Sequence, residues 1–587
     1  MKFSPAVPLI VIGLIISLLC LAPFPQALAA QRQISSPYNG KTIRNITINI
    51  HPIFEGEELP FLYRTANTLK IATRQKIVRR ELLFKEGDPY DELHIRESVR
   101  RLRLLKYLRR ISIKPQADGD YVDIIVEVQD TWTFIPQFSY STGVGRDKRT
   151  VGVAESNVLG YGNRLEVAYQ QDEAREIVAG VFEDNRVFNS ANRLLGAYLQ
   201  RSDGHQAVFY YGRPLRTLFD RKGWYFNTEL SDTVGRLFRN GSVEYIFRQE
   251  NEAFNLRYTV ARGKAEKGIH RFSLGYDFIQ DRFSRADIQD YQDLDLSPAV
   301  VSNNPARLPQ DRRYSGLVLA HQYIKPDYVS MNYIDRFDRV EDYNLGLEHD
   351  QTIVFAPEAF GSYEDNLLFT GNISHGLKFS YSSFLRAELG LASRLRQQGF
   401  SNTLLRAELK YYNVLGDLCI GELFAGRHTL ASSFLLDYGD RLDRDRQFTV
   451  GGDNGLRGYA ARAFTGDKRF VLNLEDRIHF IDDAFKLVSV GAAFFADIGG
   501  ASYDDIQDLL ASQIYSNIGA GLRIAFPRSA GAQVLRLDFS LPLRSAADGG
   551  RAWEIRVIIS GGQLFNARFR SETLGPEKAN VAVGQDR

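Results

Sequence analysis

Segments in which apolar and polar residues alternate fill the chain between residues 131 and 565. Clusters of Gly, Asn, Asp and Pro separate the segments, and no helix-period segment of comparable length interrupts them. Since successive side chains of a strand point to opposite faces, the pattern predicts a mainly β protein whose sheet has one apolar face. A clear example is the alternation of Phe254, Leu256, Tyr258 and Val260 with Asn255, Arg257 and Thr259.

Residues 42–130 have a different order of elements, which predicts a small α+β domain. Alternation from Ile43 to Ile50 indicates a strand, and Thr73 can cap a helix that runs to about Phe84. A second helix with apolar residues at helical spacing follows Asp91. Two further strands close the unit at Arg110–Lys114 and Tyr121–Val128.

The first 29 residues have the pattern of a secretory signal peptide. Lys2 precedes an apolar run that ends at Phe24, and the small-x-small sequence Ala27-Leu28-Ala29 follows it. An uncleaved anchor helix is the alternative. Cys20 lies within this segment, so Cys419 is the only thiol of the mature chain and no intramolecular disulfide is expected.

Composition narrows the class of protein. The 73 Lys and Arg residues balance 71 Asp and Glu residues, so the chain lacks the basic surplus typical of nucleic-acid binding. A mean hydropathy of −0.26 with no long apolar run after Phe24 excludes a helical membrane protein. The charge balance and the mean hydropathy are both compatible with a membrane barrel, because successive side chains of its strands alternate between lipid and lumen. A soluble sandwich would alternate too, but the signal sequence and the 38 Phe and 29 Tyr residues favour the barrel.

Residues 451–459 form a glycine-rich segment with a single arginine. Four glycines, at 451, 452, 455 and 458, permit a tight loop that aims Arg457. Five strand-like segments follow, and in the second of them the alternation turns Asp497 toward the polar face. We predict that Arg457 and Asp497 form an ion pair. The alternative is an exposed turn with a solvated arginine.

These motifs resemble those of the BamA/TamA-like outer-membrane protein assembly factor superfamily, which combines POTRA domains with a bacterial surface antigen barrel. Gly455-Leu456-Arg457-Gly458-Tyr459 resembles its (V/L)RG(F/Y) loop motif, and Phe495-Ala496-Asp497-Ile498-Gly499 its F-x-D-x-G motif. The turn at Gly87–Asp91 and the strand end Val126-Glu127-Val128 resemble a POTRA domain. The resemblance implies that the loop enters the barrel lumen, where Asp497 holds Arg457.

The resemblance also sets expectations for the architecture. It implies about 16 antiparallel strands, whereas the periodic segments number about sixteen before residue 450 and five after it. The expected organisation is a signal peptide (1–29), one POTRA-like domain (42–130), a transmembrane barrel (131–565) and a polar tail (566–587). The polar stretch Asp281–Arg313 is expected to be an outward loop.

Several charged and glycine residues have more than one interpretation. The alternation turns seven charged residues inward, and simple solvation in a water-filled lumen is the favoured interpretation for each: Glu475, Arg477, Arg523, Arg536, Asp538, Glu554 and Arg556. The basic run at residues 96–110 is more consistent with the solvated face of a helix than with a binding patch. Gly561-Gly562 in the last strand indicates either a kink that weakens the seam between first and last strands or a plain bend.

The sequence contains no motif for catalysis or for a cofactor. It has no zinc-protease histidine spacing, phosphate loop or nucleophile elbow, and its nine histidines are scattered. Asp440, Asp443 and Asp445 could collect a divalent cation, but interleaved arginines favour a salt-bridged loop. We therefore expect a protein that is not an enzyme and that has no metal or cofactor.

The resemblance implies a function in which the barrel inserts, assembles or translocates other proteins through strand-edge pairing and lateral opening. The implied location is the outer membrane, with the POTRA-like domain in the periplasm. The implied partners are membrane lipids, unfolded outer-membrane or secreted clients, and periplasmic accessory proteins. A passive pore or structural barrel is one alternative. A two-partner secretion transporter is another, although it would normally have two POTRA domains and an N-terminal plug helix.

Overall fold

The protein is described here by a computed structural model. It describes residues 36–143, 146–171, 175–287, 305–452, 454–531, 534–546, 550–561 and 563–564. The predicted signal peptide, the whole polar C-terminal tail (566–587) and the middle of the Asp281–Arg313 loop lie outside the described residues.

The N-terminal domain is a three-stranded sheet covered by helices. Its strands are β1 (Thr42–His51), β2 (Leu108–Asp118) and β3 (Tyr121–Asp130), and its helices are α1 (Phe61–Leu69), α2 (Gln75–Arg79) and α3 (Glu92–Leu104). The sheet order is β1-β3-β2, with β1 parallel to β3 and β2 antiparallel to it. Ile43, Val122, Ile124 and Leu102 form part of a continuous apolar core between sheet and helices.

The helix starts show which local signals were informative. The Asp91 carboxylate accepts a hydrogen bond from the Leu93 amide at 2.8 Å, so α3 begins where the sequence predicts. The helix predicted from Thr73 is wrong in its start and length, because α2 covers only Gln75–Arg79. Thr73 is instead buried, with its amide 3.0 Å from Asp130 Oδ2. Its polar groups are satisfied by a tertiary contact that competes with capping.

The remaining strands form one large antiparallel sheet with two small hairpins between its members. The first ten large-sheet strands are β4 (Phe134–Gly143), β5 (Arg146–Glu155), β6 (Arg164–Gln171), β7 (Glu176–Asp184), β8 (Arg193–Arg201), β9 (Gly204–Arg213), β10 (Lys222–Arg239), β11 (Ser242–Lys264), β12 (Gly268–Ser284) and β13 (Arg312–Ile324). A hairpin of β14 (Tyr328–Met331) and β15 (Glu341–Asn344) follows.

The sheet then continues to the end of the barrel. Its next five strands are β16 (Glu348–Ala356), β17 (Asn366–Lys378), β18 (Ser383–Arg396), β19 (Gly399–Ile420) and β20 (Leu423–Asp440). A second hairpin consists of β21 (Phe448–Val450) and β22 (Phe464–Gly466). The last five strands are β23 (Lys468–Ala484), β24 (Val488–Ser502), β25 (Tyr515–Ala525), β26 (Val534–Pro542) and β27 (Arg556–Gly561), with helix α4 (Ile506–Ala511) between β24 and β25.

Twenty strands of the described residues belong to this sheet, in chain order, and the order brings β27 beside β4. The mainly β fold is therefore confirmed, but the expected count of about 16 strands is wrong. The count of periodic segments was nearer, with fifteen large-sheet strands before residue 450 and five after it. β4 is the first strand of this sheet in the chain and β27 is the last, so the junction between them is the seam of the sheet.

Side chains alternate between an outer apolar face and a packed interior. Leu274, Leu319 and Phe494 on the outer face are 59%, 61% and 58% exposed. Exposed apolar side chains over a whole sheet face are typical of lipid contact. No helix among the described residues is both long enough and apolar enough to cross a bilayer.

The N-terminal domain lies against one end of the barrel, here called the domain end. Arg186 from the β7–β8 connection pairs with Glu81, and Arg528 from the β25–β26 connection donates to the Ile53 carbonyl at 2.6 Å. The Lys486 ammonium, after β23, lies 3.0 Å from the Glu55 carbonyl. Contacts from widely separated connections fix the domain beneath the barrel opening.

Candidate functional site

The connection from β20 to β23 turns back into the barrel and carries the glycine-rich segment. Leu456 is 0% exposed and Tyr459 2% exposed. The Tyr459 hydroxyl lies 3.0 Å from the backbone oxygens of Ser516 and Arg544. A loop that projected away from the barrel could not bury these side chains, so the alternative of an exposed turn is wrong.

Two glycines allow the loop to approach the wall. Gly455 has φ +114°, and a Cβ added to it would lie 2.6 Å from Cγ1 of Val471. A Cβ added to Gly458 would lie 2.5 Å from Cβ of Asn517. Gly455 is therefore required both for its positive φ and for the close contact with Val471. Gly458 is required for the close contact with Asn517 alone.

Arg457 is held by Asp497 in a fork-to-fork geometry. Its Nε donates to Oδ2 of Asp497 at 2.9 Å and its Nη2 to Oδ1 at 2.7 Å. The Arg457 backbone amide lies 3.3 Å from the same carboxylate. Both side chains are fully buried. The ion pair predicted from the sequence is present, with the bidentate form that suits the planar guanidinium.

Glu475 on β23 is a second carboxylate partner of Arg457 that the sequence did not reveal. Nη1 of Arg457 donates to Oε1 of Glu475 at 2.6 Å, and Asp538 lies 3.6 Å from the same nitrogen. The Arg457 guanidinium also lies over the Phe495 ring, with Cζ 3.5 Å from the ring centroid. Arg457 therefore contacts three carboxylates and one aromatic face in a site without exposed surface.

The Asp497 carboxylate is oriented by two asparagines on the flanking strands. Asn473 and Asn517 each donate an amide hydrogen bond to it at 2.8 Å. Asn473 also donates to the Gly455 carbonyl at 2.7 Å, so it contacts both the loop and its carboxylate. These bonds compensate a charge that would be costly to bury alone.

The inward-facing charges form a network. Arg477 donates to Glu475 at 2.8 Å, and Asp538 accepts from Arg523 at 2.6 Å and from Arg536 at 2.9 Å. Solvation by a water-filled lumen is therefore the wrong interpretation for these residues, because their side chains are almost fully buried. Arg556 is buried as well.

One prediction about the last strand needs correction. Glu554 is exposed and precedes β27, so the alternation within that strand does not set the direction of its side chain. Gly561 is the last described residue of β27, so the kink or bend expected at Gly561-Gly562 stays a prediction. Gly562 lies outside the described residues.

The β14–β15 hairpin enters the lumen from the domain end, opposite to the glycine-rich loop. Its tip buries Tyr333, Ile334 and Phe337, which are at most 5% exposed. Phe337 packs edge-on against His479 of β23 with ring centroids 4.6 Å apart. The Arg477 guanidinium donates to the Ile334 carbonyl at 2.7 Å. Arg477 therefore contacts the inner hairpin and, through Glu475, the Arg457 site.

The basic run of helix α3 holds the outer part of this hairpin. Arg103 donates to Asp342 at 2.7 Å, and Arg100 to the Tyr328 hydroxyl at 2.9 Å. In return, Arg339 donates to the backbone oxygens of Arg103, Leu105 and Leu108 at 3.2 to 3.4 Å. Part of the run at residues 96–110 therefore contacts the hairpin, while Arg96 is solvent-exposed, so the solvated face and the contact surface coexist on this helix.

A charged junction joins the domain to the barrel on another side. The Glu81 carboxylate accepts from Arg186 Nε at 3.0 Å and also binds Arg101. Burial alone would raise the pKa of Glu81, but the hydrogen bonds and charges of Arg186 and Arg101 outweigh it and lower that pKa to about 2. The junction is therefore charged throughout the ordinary pH range.

The far end of the lumen contains the salt-bridged loop expected for the aspartates after β20. Arg394 donates to Asp443 at 2.6 Å, and Arg312 to Asp445 at 2.7 Å. Asp440 pairs with the adjacent, exposed Arg441. Within the described ranges no three His, Cys, Asp or Glu side chains are arranged to hold a metal ion.

Two family models match the chain. Residues 380–565 match the Omp85 superfamily domain, and residues 69–130 match the POTRA model described as "Surface antigen variable number repeat". The whole Arg457 site, the last strands and the seam strand β27 lie within the first match, and helix α3 lies within the second.

Named proteins are similar to parts of the chain. A Treponema pallidum (strain Nichols) protein named "Putative outer membrane protein assembly factor" is 31% identical over 121 residues, which are 19% of this chain and 14% of that protein. The match thus spans about a seventh of that relative's length, 14%.

Solved structures cover more of the chain at low identity. BamA from Haemophilus ducreyi lacking POTRA domains 1–3 is 14% identical with a TM-score of 0.36, over 88% of this chain and 84% of that chain. CdiB from Acinetobacter baumannii is 12% identical with a TM-score of 0.43, over 89% and 74% of the two chains. CdiB from Escherichia coli is 12% identical with a TM-score of 0.41, over 95% and 99%.

Proposed function

We propose that this chain, whose residues 380–565 match the Omp85 superfamily domain and whose residues 69–130 match a POTRA model, inserts other proteins into the outer membrane or translocates them across it. The N-terminal domain would lie in the periplasm, and unfolded proteins would be the clients. The observation that carries the proposal is the buried Arg457–Asp497 pair, which ties a loop inside the lumen to the wall next to the last strands.

The proposed route of a client is the seam between β27 and β4. The described part of β27 has six residues, Arg556–Gly561, and β27 is the shortest strand of the large sheet among the described residues. A ladder between β27 and β4 can therefore contain only a few hydrogen bonds, so opening it breaks fewer of them than opening a longer ladder would. An opened seam offers unpaired N–H and C=O groups, which an extended client segment can satisfy by strand addition. The N-terminal sheet edge at β1 or β2 offers the same chemistry before the client reaches the barrel.

The state described here is closed at both ends of the lumen. The glycine-rich loop fills the lumen from the far end, and the β14–β15 hairpin fills it from the domain end. Passage of a polypeptide through the lumen requires both to move. This closed state is difficult to reconcile with a passive pore, which would conduct without rearrangement. Arg477 contacts the hairpin and, through Glu475, the Arg457 site, so movement of either element would disturb the other.

Reconstitution tests the proposal. The full chain in liposomes should accelerate the folding of an added, urea-unfolded outer-membrane barrel over empty liposomes, measured by heat-modifiable gel mobility. A chain that conducts ions steadily and leaves client folding at the rate of empty liposomes would be a pore instead.

Crosslinking across the seam tests the route. In a Cys419→Ser background, cysteine pairs scanned over 134–137 of β4 and 557–561 of β27 should abolish client folding when oxidised and restore it when reduced. The matched control is Ile524→Cys with Leu535→Cys, which face each other in the intact β25–β26 ladder. That disulfide should leave client folding unchanged. Equal inhibition by both disulfides would rule out the seam.

A further inference from the structure

Three of the nine histidines meet on the outer face of the barrel, although they are far apart in the sequence. His270 is on β12, His321 on β13 and His349 on β16. Nδ1 of His270 lies 3.1 Å from Nε2 of His321, and the rings of His321 and His349 have centroids 5.3 Å apart. We call these three side chains, together with Tyr323 between them, the histidine patch. Tyr323 faces His270 and His349 directly across the two ladders.

The histidine patch faces lipid at the domain end of the barrel. Alternation puts His270 on the face of Phe272 and Leu274, and puts His321 on the face of Leu317 and Leu319, all of them exposed apolar residues. β12 begins at Gly268 and β13 ends at Ile324, so the patch lies at the strand ends nearest the N-terminal domain. In the proposed orientation this is the periplasmic boundary of the bilayer, where phospholipid headgroups lie.

Cations surround the patch. Arg262 on β11 is paired in register with His270, and it is exposed on the same face as Tyr258. Lys264, Lys267 and Lys325 are exposed at the adjoining strand ends and turn.

The neighbouring carboxylates are arranged differently. Glu266 in the β11–β12 turn is the nearby exposed carboxylate. Glu348 and Asp350 belong to the opposite face of β16, where they contact Asn344 and Asn372. Adjacent imidazoles beside a guanidinium repel one another when protonated, unless an anion lies between them.

We propose that the histidine patch binds the phosphate of an anionic phospholipid in the periplasmic leaflet. Imidazole and guanidinium N–H groups donate to the phosphate oxygens, while the acyl chains lie on Phe272, Leu274 and Leu319. This inference rests on the proposed membrane placement but not on client handling. A protonated imidazole is a cation that donates from both ring nitrogens, whereas the neutral ring donates from one, so the binding strengthens as the pH falls.

Lipid retention tests the proposal. The purified full chain in detergent is mixed with phosphatidylglycerol, with phosphatidylcholine or with inorganic phosphate, and bound molecules are counted by native mass spectrometry at about pH 5.5 and about pH 7.5. We expect roughly tenfold preference for phosphatidylglycerol over phosphatidylcholine at the lower pH and a clearly weaker preference at the higher pH. His270→Gln with His321→Gln and His349→Gln should remove the difference between the two pH values.

Matched variants make each outcome decisive. His205→Gln changes an exposed histidine at the start of β9, at the far end of the barrel, and should leave lipid retention unchanged. Changing the three patch histidines to lysine should keep the preference at both pH values, which also shows that the barrel still folds. The proposal is wrong if the glutamine variant retains the wild-type preference, if both lipids are retained equally, or if inorganic phosphate alone competes as well as the lipid. None of these results depends on whether client folding is accelerated.

Discussion

Two elements fill the lumen from opposite ends, and they are held in different ways. The glycine-rich loop is fixed by charges without exposed surface, since Arg457, Asp497 and Glu475 are all fully buried. The β14–β15 hairpin is fixed partly by aromatic packing and partly by Arg103 and Arg339, of which Arg103 keeps a quarter of its side-chain surface, 25%, exposed. A buried charge cluster strongly resists rearrangement, whereas partly exposed bonds to a second domain break when that domain moves. We therefore call Arg457 with Asp497 and Glu475 the lock, since it holds the loop at the far end. We call the β14–β15 hairpin the gate, since it closes the domain end.

The largest effect should follow removal of the lock arginine. Arg457→Ala leaves Asp497 and Glu475 as buried carboxylates that have lost a partner, which costs about 3–5 kcal/mol. We expect a folded barrel with lower resistance to denaturant and strongly reduced client folding, measured by urea titration and gel mobility. Arg441→Ala is the control, because Arg441 is 58% exposed in the same connection and should change stability by less than about 1 kcal/mol. Equal behaviour of the two variants would contradict the lock.

Exchange of the two charges sharpens the same point. From the motif alone, Arg457→Asp combined with Asp497→Arg should restore part of the activity lost in Arg457→Ala. The structure changes this expectation, because a carboxylate at 457 would face Glu475 and Asp538 where Arg457 now contacts both. We expect no restoration of client folding, and a free energy of unfolding that stays below that of the wild type. Recovery of client folding by the exchanged pair would show that Glu475 and Asp538 contribute little.

Crowding of the loop backbone should have an intermediate effect. Gly458→Ala introduces a Cβ that collides with Asn517 and approaches Pro542. Overpacking of this kind costs about 1–3 kcal/mol. We expect urea to release the loop at a lower concentration, followed by proteolysis within the β20–β23 connection. Gly399→Ala is a contrasting glycine, since it has open space around it, and any loss there reflects its φ of +98° alone.

Weakening the contacts of the gate should lower the free energy of unfolding by less, and its main effect should appear in the ion conductance of the barrel. Arg339→Ala removes the hydrogen bonds that Nη2 shares among the carbonyls of Arg103, Leu105 and Leu108 at the C-terminal end of helix α3, where one hydrogen bond contributes about 1 kcal/mol. We expect brief open events in planar bilayers with the stability of the lock unchanged. Arg96→Ala is the matched control on the same helix, because Arg96 is 66% exposed and pairs with Glu92. Identical conductance traces for the two variants would argue against the gate.

The smallest effect concerns pH at the domain junction. The pKa of Glu81 is about 2 in the folded protein, below its ordinary value of 4.5, so its pairing stabilises the junction above pH 4.5 and is lost as the pH falls toward 2. Spin-label distances between the domain and the barrel should therefore stay constant from neutral pH to about pH 4.5. Glu81→Gln should loosen the junction even at neutral pH. A transition in the wild type above pH 5 would show that another group controls the contact.

Sequence reasoning succeeded where a single strand or loop carries the information. Asp497 faces inward because of the alternation within β24, and the glycines of the loop indicate a close approach regardless of its neighbours. Glu475 was also placed inward correctly, but nothing local pairs it with Arg457, because the two residues meet only when β23 and the loop are docked. The β14–β15 hairpin escaped detection for a similar reason. Its short strands and polar residues resemble ordinary barrel turns until Phe337 and Ile334 are found packed inside the lumen.

The histidine patch, on the outer face of the barrel, shows the same limit of sequence reasoning. They are scattered in sequence, and only the register of three neighbouring ladders brings His270, His321 and His349 together. The strand count failed differently. The number of periodic segments in the sequence was close to the number of strands in the sheet. The expected count of sixteen was wrong because it came from the resemblance to the family and not from these segments.

Alternation, turn residues and glycine positions by themselves determined that this chain has a small α+β domain followed by a sheet with one apolar face and an inward Asp497. These properties depend on the two-residue period of a strand and on backbone angles, which are local. Only the tertiary structure decided that the sheet has twenty strands among the described residues, that Arg457 has Glu475 and Asp497 as joint partners, and that the β14–β15 hairpin fills the domain end. Those properties depend on which distant segments meet, and burial of charge makes the result specific because each buried carboxylate must find its donors.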